Sequence, residues 1–307
     1  MKKFGSLTLA MVALLALAGC SPAQPSGWSA GHGKIKIVAS TNVWGSVANL
    51  VAGELATVDA IIYNVNQDPH SYELTARDQL LINNADIVIM NGGGYDDFMK
   101  TAIDADPTPA ITVDAYIASG DDATRNEHIW YDVDQVGDVA AVIGAAIEAK
   151  DEATVDEVET RVADFRQKIS ERKARLEEHK GLLRSAYVTK AQCSVLLTEP
   201  LMAYIVEDAG LIDATPTEFS KAVEEDRDVP PSVMKDVKNL LETRQVSAIF
   251  LNSNTQTPQI NSLLSVKSGI PNFGFSELLI QDPDTLKYSG GYFEMLDAAI
   301  ESVTKSW

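Results

Sequence analysis

The chain has 307 residues, enough for about two domains at roughly 100–200 residues each. It carries 25 lysines and arginines against 44 aspartates and glutamates, so its formal net charge is −19. This balance argues against nucleic-acid binding, which depends on neutralising phosphates, and suits a protein that attracts cations. The only cysteines are Cys20 and Cys193, which excludes a disulfide framework and a cysteine-rich zinc motif.

The N-terminus has the features of a secretory leader. Two lysines precede an apolar run over residues 7–18, which is too short to span a bilayer with confidence. The run ends in Leu-Ala-Gly-Cys at 17–20, which resembles a lipoprotein box. We therefore predict a signal peptide over 1–19, a lipidated Cys20, and a flexible tether over 20–33 that holds the protein outside the cytoplasm on a bacterial membrane. An ordinary leader with a chance cysteine is the alternative.

From Lys34 onward, short apolar runs alternate with helical patterns. Strands are predicted over residues 35–39, 58–63, 86–90, 110–113, 194–198, 214–219, 247–252 and 271–275. Alternating strands and helices are typical of βαβ units, which form parallel sheets flanked by helices. The predicted fold class is therefore α/β, with one lobe over 34–153 and a second over 182–307.

A long helix is predicted between the two lobes. Apolar residues at 155, 158, 162, 165, 169 and 176 follow a helical spacing. Thr154 and Glu157 have the spacing of a capping box, and Gly181 is a natural stop signal. Residues 154–181 are thus predicted to form a rigid rod, about 39 Å long at 1.5 Å per residue over 155–180. A coiled-coil surface is the alternative, but the heptad pattern is shorter than four repeats.

Four candidate ligands follow predicted strands. His70 comes after the second strand, and His128 after the fourth. Glu199 and Glu277 follow strands of the second half. Open α/β sheets bind ligands beyond the carboxyl ends of their strands, and imidazole with carboxylate is a normal donor set for a divalent transition metal. A lone histidine is more often structural, so these positions alone leave a metal site and a structural role open.

Other polar positions have simpler interpretations. Asp68, Glu127 and Asp132 flank the histidines, and one of them is a candidate to accept a hydrogen bond from a histidine ligand. We nevertheless favour solvated surface charges for these three residues. The acidic stretch 224–228 is predicted to be an exposed loop before a helix, and the glycines at 92–94 are predicted to form a tight turn between strand and helix.

The histidine motifs resemble those of a known family. They read Asp-Pro-His-Ser-Tyr-Glu at 68–73, followed by Asn-Asn-Ala-Asp-Ile-Val-Ile-Met-Asn-Gly at 83–92, and Glu-His-Ile-Trp-Tyr-Asp at 127–132. Both motifs resemble the metal-binding lipoproteins of manganese/zinc ABC importers, the cluster A-I solute-binding family. The resemblance implies two α/β lobes joined by a long rigid helix, with a metal site in the cleft between them. Its implied ligands are His70, His128, Glu199 and Glu277.

The resemblance also implies a function. The protein would capture one divalent metal ion outside the membrane and deliver it to a permease driven by an ATPase. This chain has no Gly-x-x-x-x-Gly-Lys-Ser/Thr loop, so the ATPase must be another protein. Two carboxylates make the donor set comparatively hard, which favours Mn²⁺, although Zn²⁺ generally binds a given site more tightly. We favour Mn²⁺, with Zn²⁺ a close second, and expect a monomer that is anchored only through Cys20.

Three other functions are weighed against this one. A hydrolytic metalloenzyme needs an open coordination position and a base, whereas four protein ligands would close the site, so we expect no enzyme activity. A binding protein for haem or a siderophore would share the architecture without needing four converging ligands. A surface adhesin is neither supported nor excluded. One departure from the family is the stretch 119–126, which has no histidine where its zinc importers often carry a histidine-rich loop.

Overall fold

The computed structural model describes residues 33–120, 126–186, 189–255, 257–266, 269–280 and 290–305. The predicted signal peptide, Cys20 and nearly all of the predicted tether lie outside these residues. Within the described ranges, no helix has both the length and the apolar character needed to cross a membrane.

Strands and helices alternate along the described chain. The strands are β1 (Ile35–Thr41), β2 (Ala56–Ile62), β3 (Ile87–Met90), β4 (Ile111–Asp114), β5 (Ser194–Leu197), β6 (Ile212–Asp213), β7 (Ala248–Asn252) and β8 (Asn272–Phe275). The α-helices are α1 (Asn42–Ala52), α2 (Ala76–Asn83), α3 (Asp97–Ala105), α4 (Ala115–Ala118), α5 (Val136–Lys150), α6 (Val155–Ser185), α7 (Lys190–Cys193), α8 (Ala203–Asp208), α9 (Thr217–Glu224), α10 (Pro231–Glu242), α11 (Pro258–Leu264) and α12 (Tyr292–Lys305). Short 3₁₀ turns cover Gly53–Leu55, Pro69–Ser71, Ile129–Tyr131, Glu152–Thr154 and Pro200–Met202.

The strands form two parallel sheets with the same winding. Their orders are β2-β1-β3-β4 and β6-β5-β7-β8, and each neighbouring pair is parallel. We call β1–β4 with their helices the N-terminal lobe, and β5–β8 with theirs the C-terminal lobe. The predicted α/β fold class is confirmed.

One predicted strand is wrong. Residues 214–219 do not form a strand; the strand of this region is the short β6, and helix α9 begins at Thr217. The buried residues of α9 are Phe219, Ala222 and Val223, which recur at helical spacing rather than alternating. The apolar residues of this segment therefore form the buried face of helix α9.

Helix α6 connects the two lobes. It has 31 residues, which corresponds to about 46 Å. Its buried side chains are Val158, Phe165, Ile169, Leu176, His179 and Leu183. The helix packs against α1 and α5 in the N-terminal lobe and against α8 and α12 in the C-terminal lobe. The predicted long connecting helix is confirmed.

Both predicted ends of this helix need correction. Thr154 has helical backbone angles and caps nothing; its hydroxyl donates to the Asp151 carbonyl (2.7 Å). Asp151 instead caps the preceding 3₁₀ turn. Gly181 lies inside the helix, which continues to Ser185. Leu183 extends the buried stripe past the glycine, and its packing outweighs the cost of about 1 kcal/mol for glycine in a helix.

Gly181→Ala should stabilise the protein. An added Cβ at this exposed helix position meets nothing within 4 Å, so the free energy of unfolding should rise by about 0.8–1 kcal/mol. Urea denaturation measures this change. Gly144→Ala is the contrasting control, because a Cβ there would lie 2.9 Å from Val162 Cγ2 and should destabilise the fold. No gain from Gly181→Ala would indicate that the helix ends before this residue.

Asp208 should make stability depend on pH. Burial, with the nearby Asp134 carboxylate, raises the pKa of Asp208 from 3.8 to about 6. The unfolded chain loses this proton near pH 3.8 and the folded chain near pH 6, so stability falls as pH rises between these values. Asp208→Asn should therefore raise the free energy of unfolding at pH 7 by about 1–2 kcal/mol.

The measurement is urea denaturation of the wild type and Asp208→Asn at several values between about pH 4 and pH 7. The variant should show a flatter stability profile than the wild type. Glu218→Gln, at an exposed position of α9, serves as the control and should keep the wild-type slope. If stability depended on pH in Asp208→Asn as it does in the wild type, the dependence would not come from Asp208.

Candidate metal centre

His70 lies on the 3₁₀ turn Pro69–Ser71, in the loop that follows β2. The Asp68 carboxylate accepts hydrogen bonds from the His70 backbone N–H (2.9 Å) and the Ser71 hydroxyl (2.6 Å). Pro69 takes the first position of the turn, where its missing N–H costs nothing. Asp68 is therefore a structural cap and not a free surface charge. It fixes the backbone that presents His70, whose side chain is 28% exposed.

His128 is fully buried directly before the turn Ile129–Tyr131. Its Nδ1 lies 2.7 Å from Asn126 Oδ1, and Asn126 Nδ2 donates to the Pro200 carbonyl. Because the amide oxygen can only accept, this network assigns the proton of the imidazole to Nδ1. Nε2 is left as a buried acceptor without a partner. Burial lowers the pKa of His128 to about 3, so the ring is neutral at physiological pH.

Glu199 and Glu277 are both buried, and one side chain joins them. Asn252, the last residue of β7, donates through Nδ2 to Glu199 Oε2 and to Glu277 Oε1. Glu277 Oε2 also accepts a hydrogen bond from the Tyr95 hydroxyl (3.2 Å). Glu199 Oε1 is buried without a hydrogen-bond partner. The pair thus exposes one unsatisfied carboxylate oxygen to the site.

Tyr95 brings three of the four predicted residues together. Its ring centroid lies 5.1 Å from that of His70 and 5.9 Å from that of His128, and its hydroxyl reaches Glu277. The turn before it, residues 92–94, has positive φ at each glycine, as a tight strand-to-helix turn requires. A Cβ on Gly92 would lie 2.3 Å from an Asp114 oxygen. The prediction of a tight glycine turn is confirmed.

Two glutamates outside the predicted set also face the histidines. Glu127 Oε1 lies 3.4 Å from His70 Nε2, and Glu224 Oε1 lies 3.9 Å from His128 Nδ1. The side chains of Glu127 and Glu224 are only 16% and 17% exposed. Glu127, His128 and Glu224 each offer a donor atom within 4.8 Å of the other two, a grouping that could hold a metal ion.

Sequence reasoning missed these two glutamates for different reasons. Glu127 was expected to be a surface charge, which is wrong because it packs against His70. Residues 225–228 are exposed before α10 as predicted, but Glu224 is the last residue of α9 and points inward. The helical spacing of Phe219, Ala222 and Val223 does not place Glu224 on their face, so no local pattern identifies it. Asp132, the third flanking acid, is also buried and accepts the Asp134 N–H.

The carboxyl groups repel one another in this enclosed space. Burial, followed by the charges of Glu224 and Glu277, raises the pKa of Glu127 to about 8. Burial and the charge of Glu199 raise the pKa of Glu277 to about 8 and that of Glu224 to about 7. A divalent cation would offset this repulsion. The adjacent cavity holds about 190 Å³ and is lined mainly by polar side chains, among them His70, Glu199 and Glu277.

Two similarly wound α/β lobes, joined by one helix around a small acidic cleft, define a solute-binding protein. The family described as "Zinc-uptake complex component A periplasmic" matches residues 37–306. The chain therefore belongs to this family of periplasmic uptake components. The predicted resemblance is confirmed, and membership assigns the chain to solute-binding proteins rather than to enzymes.

One curated relative and two solved structures are similar to this chain. The manganese-binding lipoprotein MntA of Halalkalibacterium halodurans is 31% identical over 148 residues, or 47% of this chain and 48% of that protein. The chain thus matches about half the length of this curated relative. The periplasmic zinc-binding protein TroA of Treponema pallidum has a TM-score of 0.73 at 16% identity, covering 89% of this chain and 99% of its own. Manganese-bound FpvC of Pseudomonas aeruginosa has a TM-score of 0.71 at 19% identity, with coverages of 89% and 98%.

Asn252→Ala should destabilise the metal-free protein. It removes the donor that Glu199 and Glu277 share, so two buried carboxyl groups would face each other without it. We expect the free energy of unfolding to fall by about 1–3 kcal/mol in the presence of a chelator. Urea denaturation is the measurement, with the exposed Asn239→Ala as control. Equal stability of the two variants would show that the shared hydrogen bonds contribute nothing.

Proposed function

We propose that the protein captures a divalent transition metal ion outside the cytoplasm and delivers it to an ABC importer. His70 and His128 from the N-terminal lobe, with Glu199 and Glu277 from the C-terminal lobe, are the proposed ligands. The ion is the transported substrate and not a resident cofactor. The importer would consist of a permease and a separate ATPase.

One observation carries the proposal. The cleft contains two buried acceptor atoms without hydrogen-bond partners, His128 Nε2 from one lobe and Glu199 Oε1 from the other. An unsatisfied buried polar group costs about 1–3 kcal/mol, so such groups call for a bound partner. Both atoms accept and neither donates, which disfavours an anionic ligand and suits a cation. Asn126 supports this role because metal-bound histidines usually donate their other N–H to a fixed acceptor.

Mn²⁺ is the proposed ion, with Zn²⁺ as the nearest competitor. Carboxylate oxygens are hard donors that suit Mn²⁺, and the relative MntA is named for manganese. The family description and TroA, in contrast, refer to zinc. The competition between these ions is therefore the decisive property to measure.

We further propose that the mature chain is anchored to the membrane through lipid on Cys20, with residues 20–33 as tether. The lipoprotein box in the sequence and the lipoprotein name of MntA support this proposal. Several acyl chains on one residue would give a stable anchor, which a single chain does not.

The lining of the cleft favours an ion over haem or a siderophore. Sites for larger ligands are mostly apolar. The two cavities beside the proposed ligands, of about 190 and 370 Å³, are lined mainly by charged and polar side chains.

The test is calorimetric titration of residues 21–307 after metal removal, with Mn²⁺, with Zn²⁺ and with each in competition with the other. We expect one ion per chain, tight Mn²⁺ binding and reversible displacement by Zn²⁺. His70→Ala and Glu277→Ala should each weaken binding by at least about 100-fold, because each removes a ligand; this corresponds to about 2.8 kcal/mol.

Glu218→Ala is the control, because Glu218 is exposed at the opposite end of α9 from Glu224. It should bind metal like the wild type. Unchanged affinity in both ligand variants would refute the proposed site. Essentially irreversible Zn²⁺ with weak Mn²⁺ would assign zinc as the substrate.

A further inference from the structure

Each proposed histidine ligand faces a glutamate outside the four-residue set. His70 Nε2 is 3.4 Å from Glu127 Oε1, and His128 Nδ1 is 3.9 Å from Glu224 Oε1. Two donor atoms that are each about 2.1 Å from one ion lie roughly 3.0–4.2 Å apart, depending on the angle between them. The His70–Glu127 separation falls within this range. Glu127 and Glu224 each also have a donor atom within 4.8 Å of a donor atom of His128, so side-chain adjustments would bring both glutamates onto an ion bound at His128 Nε2.

Glu224 lines the same cavity as three of the proposed ligands. The cavity of about 190 Å³ is bordered by His70, Glu199 and Glu277 as well as by Glu224. Glu199 is only 4% exposed, and its Oε1 has no hydrogen-bond partner. A buried carboxylate oxygen without a donor, in a cavity that holds further carboxyl groups, indicates a bound cation, because buried charges are paired or bind metals.

Among the described residues, the carboxylates of the cleft differ from those elsewhere in having no lysine or arginine at ion-pair distance. Carboxylates elsewhere form ion pairs; Asp297, for example, pairs with Arg172 and Arg175. In the part of the chain that the structure describes, no lysine or arginine forms an ion pair with the cleft carboxylates Glu127, Glu199, Glu224 and Glu277. A bound cation would supply the balancing positive charge.

We propose that Glu127 and Glu224 are additional ligands of the ion, so that six side chains reach it, and that this larger shell favours Mn²⁺ over Zn²⁺. The inference rests on the proposed function. Mn²⁺ suits octahedral, oxygen-rich coordination, whereas Zn²⁺ in proteins usually takes four ligands in a tetrahedron. Zn²⁺ would be satisfied by four of the six groups and would gain little from the other two.

The test measures both ions on Glu127→Gln and Glu224→Gln, which preserve side-chain volume. The dissociation constant for Mn²⁺ should rise by at least about 10-fold in each variant, and that for Zn²⁺ by less than about 3-fold. Glu218→Gln is the matched control. It makes the same charge change on the same helix as Glu224, on an exposed side chain outside both cavities of the cleft, and should alter neither constant by more than about 2-fold.

Glu224→Asp separates coordination from general electrostatics. It keeps the charge but withdraws the carboxylate by one methylene, so a coordinating role predicts the same selective loss of Mn²⁺ affinity, whereas a purely electrostatic role predicts none. X-ray absorption of the Mn²⁺-loaded protein should show about six light-atom ligands, and fewer in Glu224→Gln.

Two results would overturn the inference: equal weakening of Mn²⁺ and Zn²⁺ binding in the glutamine variants, or effects no larger than those of Glu218→Gln. Failure of the inference is distinct from failure of the proposed function. If only the inference fails, the wild type still binds metal and His70→Ala weakens that binding strongly. If the proposed function fails, the wild type binds neither ion.

Discussion

The buried stripe of helix α6 fixes the distance between the two lobes. Phe165 stacks on Tyr292 of α12, with ring centroids 5.7 Å apart, while the same helix packs against α1 and α5. One apolar core therefore contains residues of both sheets, such as Ile37 of β1 and Leu197 of β5. Protein interiors pack as densely as organic crystals. The two sheet edges that carry the acidic cleft consequently cannot separate without disrupting this core.

The apolar core shared by the two lobes keeps the carboxyl groups of the cleft closer together than their charges favour. Glu199 and Glu277 share a single amide donor, and burial with the charge of Glu199 raises the pKa of Glu277 to about 8. Apolar packing at α6 supplies the free energy that holds these groups in place, as is usual for strained functional sites. A cation in the cleft would relieve the repulsion between the carboxyl groups. The apolar packing that makes the fold rigid therefore also favours cation binding.

The sequence predicts the parts of this site that depend on strand positions. His70 and His128 could be found because residues after parallel strands meet at one sheet edge. The partners that complete the site leave no local pattern. Asn126 contacts Pro200, which is 74 positions away, and Asn252 joins carboxylates from two other loops. Glu224 also has no local signal, because it ends a helix whose apolar face lies on another side.

Hydrogen bonds across the seam between the lobes limit how an ion could leave. Asn42 both donates to and accepts from the backbone of Leu279 (3.0 Å each), and the Tyr204 hydroxyl donates to the Asn126 carbonyl. Rotation of the lobes would break these bonds together with the α6 core. The exposed residues Glu225 and Asp226 and the turn after Asp68, in contrast, line the outer side of the site. Movement of these loops would leave the shared core of the lobes intact, so we expect it to open the cleft at a smaller cost than lobe rotation.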